Sequence, residues 1–323
     1  LYGSGIYLMA HATDPLTLNL TGGVMIGLAQ AGGGLAVVLG SVGRILPAKQ
    51  RTMGLGLITA AGAAGQFTIV PLGQSLLSAG YEWLPAMLIL ASSAVLIVAC
   101  GVPLAGKPDI RGAARTVVEN DPGLSAALRE AAKHRGYWLL TLGFFVCGFH
   151  VSFVGVHLPA YLTDVGMSGE WGAWSLAMIG LFNVIGSFVA GILGDRFRKK
   201  NLLSILYFMR SVVILLFIMI PVSPITVILF SASLGLLWLS TVPLTSGLVA
   251  QMFGTRYMGT LFGIVFLNHQ IGSFLGVWLG GYFYDTTGSY MPVFWAGVAL
   301  GVIAAIVHFP IRDEVPSTQA RTA

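Results

Sequence analysis

Charge is what this sequence has least of. Only 9% of its 323 residues are Asp, Glu, Lys or Arg, against about 25% in an ordinary soluble domain. So few polar groups cannot cover the surface of a soluble protein of this size. That excludes a cytosolic enzyme and a disordered chain. Cysteine is scarce too. Cys100 and Cys147 both lie in apolar stretches and read as buried small hydrophobes, which excludes a disulfide scaffold. Acidic residues are missing from the interior of every long apolar run. No signal peptide is visible, since the first residues lack a charged n-region. What is abundant is apolar: 56% hydrophobic residues, 43 Gly and a mean hydropathy of +0.84. The class that remains is an all-α integral membrane protein.

A spanning helix needs roughly 20 mostly apolar residues. Such runs lie near 16–42, 53–78, 83–105, 137–162, 171–193, 201–221, 224–249, 256–283 and 289–311, with the end of another at 1–12. That predicts nine full helices and one partial one. Barrel strands would instead show alternation in segments of about ten residues. Sorting the loops alternately to two sides puts sixteen of the seventeen basic residues on one side, in loops near 43–52, 106–136, 194–200 and 250–256 and at the C-terminus. The opposite side carries Asp14, Glu82, Asp164, Glu170 and Asp285 and no base. The positive-inside rule makes the basic side cytoplasmic, in a multi-pass protein of the cell inner (plasma) membrane. The pI of about 9.3 therefore reflects topology in a lipid bilayer rather than nucleic-acid binding. The seventeenth base, Arg210, sits near the middle of a span.

Two segments repeat. Arg51-Thr52-Met53-Gly54, followed by Gly65 and Gly73, matches Arg256-Tyr257-Met258-Gly259, followed by Gly272 and Gly280, at an offset of 205 residues. Parallel repeats related by an axis along the membrane normal are a transporter signature. The offset divides the chain into the remainder of an N-terminal six-helix half at 1–105, a cytoplasmic linker at 106–136, a C-terminal six-helix half at 137–312 and a tail at 313–323. Two helices and part of a third are expected ahead of Leu1. Within the linker, Asp121–Arg135 reads as an amphipathic helix started by Asp-Pro.

Gly194-Asp195-Arg196-Phe197-Arg198-Lys199-Lys200 resembles the G-D-R-x-x-R-K/R loop signature of the major facilitator superfamily (MFS). Gly62–Gly73 is similar to the Gly/Pro-rich motif of that family's fifth helix. The resemblance implies a twelve-helix fold of two six-helix halves, with the first helix of each half lining a central cavity. His150–Asp164 and His269–Gly276 are similar to bacterial relatives of the monocarboxylate transporter branch. The sequence departs from that branch in having no Asp/Arg pair at 171–193 and no Lys at 256–283.

Polar groups in a bilayer are expensive, so each intramembrane one is a site candidate. On the helix at 137–162, Gly143, Cys147, His150, Val154, His157 and Tyr161 form one stripe at spacings of 3 and 4. His150 and His157 stand two turns apart, about 10 Å, too far to share a metal. They read as hydrogen-bonding or proton-relay groups, or as neutral histidines bonded to a neighbouring backbone. Arg210 is either a counter-ion for an anionic solute or a partner for helix-end carbonyls. Asn268 and His269 are further cavity candidates, and Asn183 a weaker one. The row Gly272, Gly276 and Gly280, and the pair Gly23 and Gly27, read as close helix contacts. Gly194, Asp195, Arg196, Arg198 and Lys199 read as a conformational latch, or as a basic loop that only fixes topology. No phosphate loop, catalytic triad or metal cluster emerges, and no cofactor is expected.

The chain therefore reads as a secondary active transporter of a small-molecule solute. An organic anion such as a monocarboxylate fits best, with protons as coupling ion. An exporter of hydrophobic or drug-like compounds, an integral membrane enzyme and a non-transporting receptor or scaffold are the alternatives.

Overall fold

The structure is a computed structural model that describes residues 1–101 and 123–312. Lys107, Arg111, Arg115, the Asp121-Pro122 helix start and the tail from 313 lie outside the described residues.

The described residues are helical. In chain order they form α1 (Tyr2–Ala10), α2 (Pro15–Leu18), α3 (Ile26–Gly33), α4 (Leu35–Ile45), α5 (Arg51–Ser78), α6 (Trp83–Ser92), α7 (Val95–Gly101) and α8 (Gly123–Lys133). There follow α9 (Arg135–Asp164), α10 (Gly169–Arg196), α11 (Lys199–Met219), α12 (Pro224–Leu237), α13 (Thr241–Phe253), α14 (Met258–Thr287) and α15 (Met291–His308). Eight stretches are long and apolar enough to cross a membrane, and Trp83–Ile97 is a shorter apolar one. These fall on the nine full runs read from the sequence.

Starts and stops follow local chemistry. Asp14 accepts from Thr17 N ahead of Pro15. Ser223 and Thr226 form a reciprocal capping box ahead of Pro224, which satisfies two N-terminal donors that no helical carbonyl can reach. Gly254 and Gly288 take positive φ, +74° and +67°, where the chain turns sharply after α13 and α14.

The described residues form two compact units, which fall within 1–34 with 72–129 and within 35–71 with 130–323. In the first, α1 packs on α6 and on the π-helical turn Asn19–Met25 that continues α2. Among the described residues Gly23 and Gly27 make no close helix contact. A Cβ added at either meets no described neighbour within 4 Å, because that face of the helix is exposed.

The second unit is built around α9, whose interior face is almost wholly buried. Glycines bring its partners to backbone contact. Gly148 lies on the carbonyl of His269, Gly272 on that of Phe145 and Gly276 on that of Phe149. A Cβ on any of the three would enter the van der Waals shell of an oxygen. The glycine row of α14 is thus the surface that meets α9. In the same way Gly56 of α5 lies on Ser187 and Gly191 of α10, and Gly40 of α4 on Gly259 of α14. Without a hydrophobic force between helices in lipid, such close approach is the main source of association.

Runs that the sequence reads as continuous are broken at Gly34, at 93–94 and at 238–240. Residues 224–253 are split at 238–240 into α12 and α13. Pro243 contributes to the split: it has no N–H for the Leu239 carbonyl, and its ring would clash there in a straight helix. Val242 N turns to Leu239 O instead, at 2.9 Å.

Candidate functional site

The loop signature does its bonding at a helix end. Asp195 closes the basic end of α10, and its two carboxylate oxygens accept from Thr52 N at 3.0 Å and Met53 N at 2.9 Å. These are the second and third residues of α5, whose first-turn N–H groups have no helical acceptor and carry the positive end of the helix dipole. A carboxylate is poorly placed at the C-terminus of its own helix; docked on the N-terminus of another it is doubly favoured. Gly194 makes room for this, because a Cβ there would lie 2.6 Å from Thr52 Cγ2 and from Leu244 Cδ2. Lys199 Nζ donates to Gln251 Oε1 at 3.2 Å, which ties the loop to the end of α13. Arg196 and Arg198 are exposed. The partner of Asp195 is therefore the α5 backbone, and sequence reasoning had not paired the two. The repeat motif at Arg51–Gly54 was the available signal. Arg51 itself closes the α4–α5 turn through Gly43 O at 3.0 Å and Leu46 O at 3.3 Å.

Arg210 is fully buried and lies at the α12–α13 break. Its Nε donates to Leu237 O at 3.1 Å, and its Nη2 to Leu237 O at 2.5 Å and to Trp238 O. Thr241 Oγ1 lies 3.5 Å from Nη2, and the guanidinium carbon sits 5.4 Å from the Tyr207 ring centroid. The cation is thus held by carbonyls freed at the break and by an aromatic face. On the other side of the break Asn183 Oδ1 accepts from Leu239 N at 3.0 Å and from Ser187 Oγ at 3.0 Å. Arg210 and Asn183, placed on different helices, converge on one interrupted backbone. Cys147 joins them through Thr241, Sγ to Oγ1 at 3.2 Å.

The histidines are spread apart. His150 Nε2 donates to Gly297 O at 2.8 Å, and half-buried His157 Nε2 to Val277 O at 2.9 Å. The stripe predicted on α9 exists, but it packs against α13, α14 and α15. His269 Nδ1 bonds Gln270 Oε1 at 3.0 Å and its ring stacks on Phe266 at 5.1 Å. Asn268 Nδ2 donates to Thr141 O at 2.7 Å. Sequence reasoning missed His308, which is buried, bonded to Ala304 O at 2.8 Å and stacked on Tyr207 at 4.9 Å. Its position inside the last apolar run was the signal. Eight buried polar atoms among the described residues have no hydrogen-bond partner: His150 Nδ1, Asn183 Nδ2, Tyr207 Oη, Arg210 Nη1, Ser231 Oγ, Thr245 Oγ1, His269 Nε2 and His308 Nε2.

Broken and glycine-packed helices, long and apolar enough to cross a membrane, are the architecture of a multi-span membrane protein. The Major Facilitator Superfamily model matches residues 1–277 and 173–323, and the chain belongs to that family. It is 31% identical over 197 residues to the MFS-type transporter YcxA of Bacillus subtilis, a stretch that is 56% of this chain and 48% of that protein. The chain thus spans about half the length of that relative. To monocarboxylate transporter 12 of Mus musculus it is 24% identical, over 100% of this chain and 75% of the relative. To the MFS-type transporter YhjX of Escherichia coli it is 26% identical, over 84% and 67%. Among solved structures, the transporter FucP in its outward conformation superposes with a TM-score of 0.69 at 19% identity, covering 95% of this chain and 80% of that one.

Proposed function

We propose that the protein is a secondary transporter that moves a small organic anion, such as a monocarboxylate, by alternating access, with protons as the coupling ion. The observation that carries the mechanism is the bond from Asp195 to the α5 N-terminus. It joins helix ends that are 143 residues apart in sequence by charge and dipole, beside the glycine contacts between α5 and α10. A contact of that kind can form and break in each cycle at a cost of about 1–2 kcal/mol. In this reading the basic end faces the cytoplasm, residues 1–105 and 137–312 belong to two six-helix halves, and the bonded latch is the state closed to the cytoplasm.

The anion rests on two supports. Several relatives bear the name monocarboxylate transporter, and the buried partnerless atoms among the described residues belong to a guanidinium, imidazoles, hydroxyls and an amide, with no carboxylate among them. Imidazole is also the one intramembrane group here suited to carrying a proton near neutral pH. His269, with Nε2 open, is the first choice among His150, His157 and His269, and Asn268 is a solute contact beside it.

Uptake of radiolabelled lactate by the full-length protein in proteoliposomes, with and without an inward proton gradient, tests this. The expected result is accumulation that follows the gradient. An absence of flux for every organic acid tried would sink the anion reading. Export of neutral compounds by the same proteoliposomes, without flux of any organic acid, would favour the drug-exporter alternative.

A further inference from the structure

The two copies of the repeat break their helices at the same register. In the first, α3 ends and α4 begins at Gly34, seventeen residues before Arg51. In the second, the break is centred on Leu239, seventeen residues before Arg256. The means differ. The first copy breaks in a run of three glycines, Gly32-Gly33-Gly34, and Gly34 leaves the helix in an extended conformation. The second reads Leu237-Trp238-Leu239-Ser240, residues with no preference for a break. Pro243 frees a single carbonyl there, and the rest of the bend is held from outside, by Arg210 on the carbonyls and Asn183 on the amide.

What the bend controls is the direction of α13. Every residue of α13 from Thr241 to Ala250 is buried, so the helix has no slack along its length. Six residues past the break, about 9 Å along the axis, it reaches the latch. A Cβ on Gly247 would lie 3.1 Å from Thr52 Oγ1 and 3.1 Å from Lys199 Cε. Leu244 packs on Gly194, and Gln251 holds Lys199. Thr52 donates the amide that Asp195 accepts. A single stiff element thus runs from the clamped break to the latch.

We propose that Arg210 and Asn183 are positioning residues: by clamping the Leu237–Thr241 break they set the tilt of α13, and through Gly247 and Thr52 they set how firmly Asp195 holds the α5 N-terminus. This rests on the alternating-access reading but asks nothing about the solute. The mid-membrane clamp and the basic-end latch are one coupled unit, and releasing the first loosens the second.

The test is a cysteine at the latch, Met53→Cys, in the full-length protein purified in detergent, where a water-soluble maleimide reaches both ends. Its labelling rate, corrected for the native cysteines, reports opening of the α5 N-terminus. Asn183→Ala is expected to raise the rate about fivefold or more, towards that of Asp195→Asn. Asn183→Asp, which keeps the acceptor oxygen, is expected to stay at the parent rate. The double variant Asn183→Ala with Asp195→Asn should label no faster than Asp195→Asn alone. Should Asn183→Ala fail to fold, Arg210→Lys, which keeps the charge and loses the fork, carries the same comparison. Labelling at the parent rate, or clamp and latch effects that multiply as independent events, would overturn the proposal. The assay contains no solute, so a failed anion reading would appear in the flux measurement and leave this one untouched.

Discussion

Arg210 and Asp195 are charged residues whose removal leaves named partners stranded. A buried arginine on backbone carbonyls cannot be exchanged for a shorter side chain without orphaning Leu237 O and Trp238 O. Arg210→Gln is expected to lower stability by about 1–3 kcal/mol, the range for leaving buried hydrogen-bonding groups without a partner. Thermal unfolding in detergent would measure it, and a loss below 1 kcal/mol would mean that the carbonyls find other donors. Asp195→Asn keeps shape and one acceptor but gives up the charge on the helix dipole. It should cost about 1 kcal/mol and change solute flux more than melting temperature. At this scale the sequence was half legible. That Arg210 lies inside the membrane and Asp195 at a helix end follows from their places in apolar runs. Their partners did not follow, because carbonyls and amides bonded across 27 and 143 residues leave no mark on residue type.

Helices show the same division. Uniform apolarity gave every span, and the glycine row 272–276–280 correctly announced a close contact. The break at 238–240 was hidden because the proline that contributes to it stands at Pro243, inside an otherwise unbroken apolar run. Periodicity put His150 and His157 on one stripe, yet it could not say that the stripe meets α14 and α15 rather than open space. Shared face is a property of one helix; what lies opposite is a property of the packing. Two substitutions test the elements. Ser223→Ala removes a reciprocal cap from α12 and should cost about 1 kcal/mol. Gly276→Leu forces a side chain onto the Phe149 carbonyl and should cost about 1–3 kcal/mol or more, read as loss of folded protein in a thermal series.

For the whole molecule the scarcity of charge proves most informative, since in the described helices long enough to span a membrane charge lies at the helix ends, Arg210 excepted. Orientation is tested by single cysteines in intact cells: Ser78→Cys should react with an impermeant thiol reagent from outside, and Arg198→Cys only after the cells are opened. The reverse pattern would invert the proposed sidedness. The glycine contacts of α9 and α14 carry one more consequence, for genetics. At Gly148, Gly272 and Gly276 the obstructing atoms are backbone oxygens, whereas at Gly280 they belong to the side chain of His157. An Ala at Gly280 should therefore yield second-site suppressors that shorten residue 157. The same change at the other three should yield none on the facing helix, since a peptide carbonyl cannot be mutated away.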